Sequence, residues 1–195
     1  MLFRSTALPV RLLFNEIELN FQCRYACFRG KSLWCTGDGE TAERVENGKK
    51  SEVSCPCGRE RPDYTGEDRC KINSRLSVLV DGVQRVGGVW VLRTTSYNST
   101  VNILSSLTLI QRITGGPLAG LPLWLTIAPK NVIVPTDNKM TTVWVVGLEF
   151  RGTIEELQQI GFEQAKRDAI HHARIEQIEQ QARRLLVHDP VQLEP

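Results

Sequence analysis

Four cysteines, Cys35, Cys55, Cys57 and Cys70, fall within one polar, glycine-bearing stretch of the chain. Thiolates are soft ligands, and four of them satisfy zinc at tetrahedral geometry with no position left for water, so such a site organises structure rather than hydrolysing anything. The unfolded chain has no preformed site, so the binding energy becomes folding energy, roughly 10–16 kcal/mol in small zinc modules. That is enough to order a loop with so few apolar residues. The spacing, with nineteen, one and twelve residues between successive cysteines, is not a pair of C-x2-C knuckles. Cys55-Pro56-Cys57 is instead a tight clip: the proline fixes φ and shortens the turn, which can aim both sulfurs at one ion while Cys35 and Cys70 close the tetrahedron. The expected cofactor is zinc on these four residues, and the alternative is reduced structural cysteine.

Cys23 and Cys27 bring the cysteine count to six, which in a secreted chain would suggest three disulfides. The apolar start from Leu2 to Phe14 is interrupted by Arg4, Pro9 and Arg11, which does not fit a secretory signal. No stretch has the length of a membrane span. The expected location is therefore a reducing cytoplasm, that of a bacterial host, where cysteine clusters more often mean metal than disulfide. Cys23 and Cys27 flank Tyr25 in an alternating segment and are expected to be buried as small hydrophobes.

Enzyme activity is not expected. All three histidines, His171, His172 and His188, lie in the tail, and none sits in an H-E-x-x-H pattern. The chain carries no G-x-S-x-G elbow, Walker loop or dinucleotide fingerprint. Its charge is nearly balanced, with 24 basic and 22 acidic residues. Residues 1–150 hold 18 basic and 14 acidic residues, net +4, and residues 151–195 hold 6 and 8, net −2. A duplex-binding domain shows a stronger basic bias. Trp34, Tyr64, Trp90, Tyr97, Trp124 and Trp144 are interleaved with Arg29, Lys31, Arg59, Arg61, Arg93 and Lys130, a mixture able to stack on and neutralise single-stranded nucleic acid. The competing expectation is that Trp90, Trp124 and Trp144 pack in the core or beneath a helix, and that Trp34 shields the metal.

The elements that must position these residues follow from periodicity. Alternation from Asn20 to Trp34 predicts strand, and Thr36-Gly37-Asp38-Gly39 predicts a turn. From Glu40 to Lys71 charged and turn residues dominate, as in a loop that metal would have to order. Leu76–Val80 and Gly88–Thr94 predict a hairpin. Ser96 or Asn98 can cap a helix running to about Ile113, with Ile103, Leu107 and Ile110 on one stripe, ended by Gly115-Gly116-Pro117. Leu121–Ala128 and Thr141–Phe150 predict a second strand pair. Thr153 followed by Glu156 is a capping box, opening a helix of about 35 residues that stops at Asp189-Pro190. Its second apolar run, Ile175, Ile178, Ala182 and Leu185, is too short to establish a coiled coil, but it allows oligomerisation or partner binding through this helix.

The fold class expected is α+β: an antiparallel sheet with a packed helix, a zinc-stabilised four-cysteine insertion and a long C-terminal helix. The domain reading is a poorly defined extension over 1–19, a core over 20–152 with the zinc insertion at 35–70, and a separable amphipathic helix and tail over 153–195.

The runs Gly30–Ala42 (GKSLWCTGDGETA), Cys55–Gly58 (CPCG) and Gly87–Ser99 (GGVWVLRTTSYNS) resemble the phage and prophage recombination directionality factor-like proteins. The likeness continues through Leu104–Leu107, Thr114–Leu118 and Leu123–Lys130, covering roughly residues 20–160. It implies a protein that binds a large serine integrase, through the integrase's mobile coiled-coil arm, and biases it toward excision without cutting DNA itself, meeting DNA only through that complex. The family pattern opens with a glycine- and lysine-containing strand that residues 1–19 do not show, so a truncated or misassigned start is expected. The competing function is a single-stranded nucleic-acid-binding or replication/recombination accessory protein.

Overall fold

The structure, a computed structural model, describes residues 7–55, 57–59, 66, 69–83, 87–133 and 139–188; within the last helix the side chains of 175, 176 and 178–188 stand outside that description. It is α+β, as expected. Along the chain run β1 (Ala7–Arg11), α1 (Ile17–Asn20), β2 (Phe21–Arg29), β3 (Ser32–Gly37), β4 (Thr41–Glu46), β5 (Lys49–Ser54), β6 (Lys71–Val80), β7 (Trp90–Thr94), α2 (Tyr97–Thr114), β8 (Pro122–Ile133), β9 (Met140–Glu149) and α3 (Ile154–His188). Among the described residues the strands join in one sheet ordered β5-β4-β3-β2-β6-β1-β8-β9, with β7 also paired to β6. Each strand pairing is antiparallel.

Period-two alternation sends Phe21 of β2, Leu76 and Val78 of β6, Leu123 of β8 and Leu148 of β9 to one face, where Ile103, Leu107 and Ile110 of α2 meet them in the main core. The start of α2 is set by Ser96, whose hydroxyl accepts from Ser99 N–H at 3.3 Å, and its end by Gly115 in the left-handed region. Buried hydroxyls fix it to the sheet: Ser74 and Thr100 share a 2.8 Å hydrogen bond, and Ser99 Oγ accepts from Val146 N–H at 3.1 Å. Gly147 matters here, because a Cβ would lie 2.6 Å from Asn102 Nδ2, whose amide donates to the Val146 carbonyl.

From residue 7 onward the N-terminal segment corrects the expectation of a poorly defined extension over 1–19. Residues 7–11 form β1, hydrogen-bonded between β6 and β8, and Val10 and Leu12 are completely or almost completely buried. Pro9 and Arg11 interrupt the apolar pattern of this strand. Arg11 donates to Asp81 at 2.8 Å and to the Gly120 carbonyl at 2.6 Å. The buried Asn20 then turns the chain, accepting from the N–H groups of Leu13 and Phe14 and donating to the carbonyls of Phe14 and Glu16.

Residues 41–54 correct a second expectation. They form the β4–β5 hairpin rather than a loop, reversing at Asn47-Gly48, both at positive φ. Asn-Gly is the favoured two-residue hairpin turn because its backbone matches the strand twist.

The capping box at α3 is reciprocal: Thr153 N–H donates to Glu156 Oε2 at 2.8 Å, and Glu156 N–H to Thr153 Oγ1 at 3.1 Å. Gly161 does not break the helix. It lets α3 approach α2, since a Cβ there would lie 2.7 Å from Thr114 Cβ. Leu157 belongs to the main core, with Ile160 packed against it, so the first two turns of α3 pack on the domain. Farther on, Phe162, Ala165, Ala169, Ile170 and Ala173 are exposed or half-exposed. The Ile175–Leu185 stripe falls on side chains outside the described set.

Candidate functional site

At the β3–β5 end of the sheet a second, smaller cluster forms from Cys27, Trp34, Cys35, Ala42 and Cys70, with Tyr25, Val53 and Cys55 packed against it. Strand register places Cys27 directly opposite Cys35. Cys55 follows β5 immediately, its N–H donating to the Glu40 carbonyl at 2.9 Å. Cys70 precedes β6, its N–H donating to the Arg59 carbonyl at 3.1 Å. Cys57 is exposed, and Arg59 Nη1 donates to its sulfur at 3.6 Å. The Cys70 thiol is pushed up to about 12, chiefly by burial and then by the neighbouring Cys27, Cys57, Cys55 and Cys35. All five sulfurs therefore share one electrostatic neighbourhood.

The structure thus gathers the four residues expected from spacing, Cys35, Cys55, Cys57 and Cys70, and adds Cys27, which was expected only to fill space. Nothing in the linear sequence reveals a cross-strand partner, so Cys27 was not readable as a cluster member. Cys23 stands apart against the main core; burial raises its thiol pKa, opposed by a hydrogen bond with Ser74. Among the described residues no three or more Cys, His, Asp or Glu side chains are closed up into a metal-holding group.

What surrounds the thiols is cationic. The pairing of β2 with β3 skips Trp34, passing from Cys27–Cys35 to Phe28–Leu33, so Trp34 sits in a bulge that turns its indole inward. The guanidinium carbons of Arg29, Arg44 and Arg59 lie 3.8, 4.6 and 4.7 Å from its ring centre. Each stack is favourable, but three like charges on one ring repel each other. Trp34 Nε1 and Arg44 Nε are buried with no hydrogen-bond partner among the described residues, an arrangement that suits an anionic neighbour. Four thiolates on a divalent zinc carry a net charge of about −2, and N–H donors commonly surround such sulfurs. By charge and donor softness, the residues present fit that group.

The hairpin carrying this cluster is held by its turn. Asp38 accepts from the N–H groups of Glu40 and Thr41 at 2.8 and 2.9 Å, which holds its carboxyl below the usual range. Gly37 is required by closeness rather than φ, since a Cβ would lie 2.6 Å from the Thr41 carbonyl oxygen.

The tryptophans divide. Trp124 is half-buried beneath the Arg151 guanidinium at 4.1 Å. Trp90 and Trp144 are more than half exposed, which corrects the expectation that they pack in the core or beneath a helix. Tyr64 and Arg61 lie outside the described residues. Among the described residues no helix is long and apolar enough to cross a membrane.

An antiparallel sheet backed by one helix, with a thiol cluster at one end and a long helix leaving the other, places this chain among α+β proteins. The chain belongs to the Gp3-like, recombination directionality factor-like family, whose pattern matches residues 3–151. The match begins ahead of β1, so the N-terminal segment lies within the stretch that the family pattern covers. Members are accessory regulators, which gives the chain a role related to recombination. No curated protein and no solved structure matches it.

Proposed function

We propose that this chain binds a large serine integrase and shifts it from integration toward excision, contributing no catalytic residue of its own. The observation that carries the reading is the family match across residues 3–151, which takes in the whole sheet and α2. An accessory protein redirects a recombinase only by binding one arrangement more tightly than another, and a few kcal/mol of difference reverses the favoured product.

Zinc is part of the proposal. Cys35, Cys55, Cys57 and Cys70 would hold it, with Cys27 as a fifth thiol beside them. When bound, the ion would supply a closed structural crosslink that ties β3, the end of β5 and the start of β6 together. Trp34 Nε1 and Arg44 Nε, buried with no partner among the described residues, and the arginine collar support this reading.

The test is in vitro recombination with the integrase of the same genome on both pairs of attachment sites. The expected result is a product ratio shifted toward excision. Binding that leaves both rates unchanged would defeat the proposal, because equal affinity for both arrangements shifts nothing.

A further inference from the structure

The main core and α2 occupy one face of the sheet, and among the described residues no helix covers the opposite face over β2, β3, β6 and β7. Alternation puts Gln22, Arg24, Ala26 and Phe28 there from β2, and register sets Arg75 beside Gln22, Asn73 beside Arg24 and Lys71 beside Ala26. Arg93 follows on β7, directly opposite Arg75. Arg24, Lys71, Arg75 and Arg93 are exposed. Among the described residues no carboxylate pairs with any of them.

Two cavities run into each other on this face, of about 300 and 450 Å3, sharing Ala26, Phe28 and Asn73 in their walls. Arg24 and Arg75 line the first, Arg69 and Lys71 the second, and among the described residues no acidic one lines either. The next acid along the sheet, Glu43, sits opposite Thr36 and is held by Lys50 at 3.2 Å. Glu18 and Asp38 line an adjoining cavity that shares Gln22 and Arg24 with the first; there Asp38 is taken up by backbone N–H groups.

The groove also has an apolar spot. Phe28 and Leu33 are cross-strand partners, 42% and 47% exposed, on the same cavity wall. A row of cations with no carboxylate partner among the described residues, beside one aromatic and one aliphatic side chain, selects its occupant. Single-stranded nucleic acid is held by several rings on which successive bases stack, and among the described residues this groove offers one ring. A protein segment with carboxylates flanking a single apolar side chain matches both halves of the groove.

We propose that this sheet face is a docking surface for such an acidic, apolar-anchored protein segment, with Arg24, Lys71, Arg75 and Arg93 meeting the carboxylates and Phe28 and Leu33 receiving the anchor. This deepens the proposed function and rests on it, because the partner bearing the segment is the integrase. The experiment titrates full-length protein against the same-genome integrase at low and moderate salt, comparing the wild type with R24E/R75E, R24K/R75K, F28A and, as a control of equal charge change elsewhere, K49E/K50E. Thermal melting checks each variant, and R24Q/R75Q replaces the reversal if that variant does not fold. Expected are wild-type binding that weakens with salt, a loss of at least about tenfold for R24E/R75E and a smaller loss for F28A. R24K/R75K should retain binding and K49E/K50E should match the wild type. If R24E/R75E binds as the wild type does, the surface assignment is wrong while the integrase reading stands. If the wild type itself does not bind the integrase, the functional reading fails and this partner with it. Salt-sensitive binding of fluorescent oligothymidylate that R24E/R75E abolishes, with integrase binding unchanged, would replace the protein segment with nucleic acid.

Discussion

The two apolar clusters of this molecule are built on different terms. The main core gathers buried apolar side chains from β1, β2, β6, β8, β9, α2 and α3, each worth about 1.5–3 kcal/mol of burial. The cluster at the β3–β5 end has one large side chain, Trp34, and three of its five buried members are cysteines. Its indole carries three guanidiniums, and the strands around it expose most of their residues. The first region is stable through area. The second has little area, and the proposed zinc crosslink would supply the missing contribution.

The largest expected effect separates the two directly. Stripping metal with a chelator, or replacing Cys70 with serine, should release one zinc per chain and open residues 40–70 to protease while the α2 core stays folded. Limited proteolysis with elemental analysis reads both, and freshly purified, reduced protein without metal would remove the distinction. Replacing Cys27 by alanine sharpens it: full retention of zinc would place that thiol outside the ligand set.

Next comes the main core. Leu107→Ala, at a fully buried position, should cost roughly 2–5 kcal/mol in denaturant unfolding, with zinc content unchanged. Gly161→Ala follows, because helix propensity would favour the change by about 1 kcal/mol, whereas overpacking against Thr114 costs about 1–3 kcal/mol. A net loss is expected, and a stabilised variant would show that the α2–α3 contact yields easily. The smallest effect lies at Asp38. Its carboxyl pKa is depressed in the folded state by backbone N–H donors, so its contribution is present above the unfolded value and fades as pH falls through the folded one. Acid titration by NMR should show the β3–β4 turn loosening there, and Asp38→Asn should flatten that response.

How much could be read in advance tracks the same contrast. The helix from Ser96 to Gly115 and the capping box at Thr153 were legible, because caps and a 3.6-residue stripe are local signals. So was the gathering of Cys35, Cys55, Cys57 and Cys70 into one neighbourhood, from residue type and proximity along the chain. β1 was not, since Pro9 and Arg11 broke its apolar pattern and its place between β6 and β8 is a long-range fact. The β4–β5 hairpin was missed despite Asn47-Gly48, a local signal outweighed by the charge of its strands. Cys27 and Arg44 joined the thiol cluster only through register, and register is not written in composition.

The length of α3 has a mechanical consequence. At 1.5 Å per residue, its 35 residues extend about 52 Å, yet among the described side chains it is those of the opening turns that anchor it on α2 and the sheet. From residue 165 onward the backbone runs a further ~36 Å, comparable to the width of a small domain. A contact made at the tip of such a rod is felt at its base as a torque, and the fulcrum is the close crossing of Gly161 with Thr114.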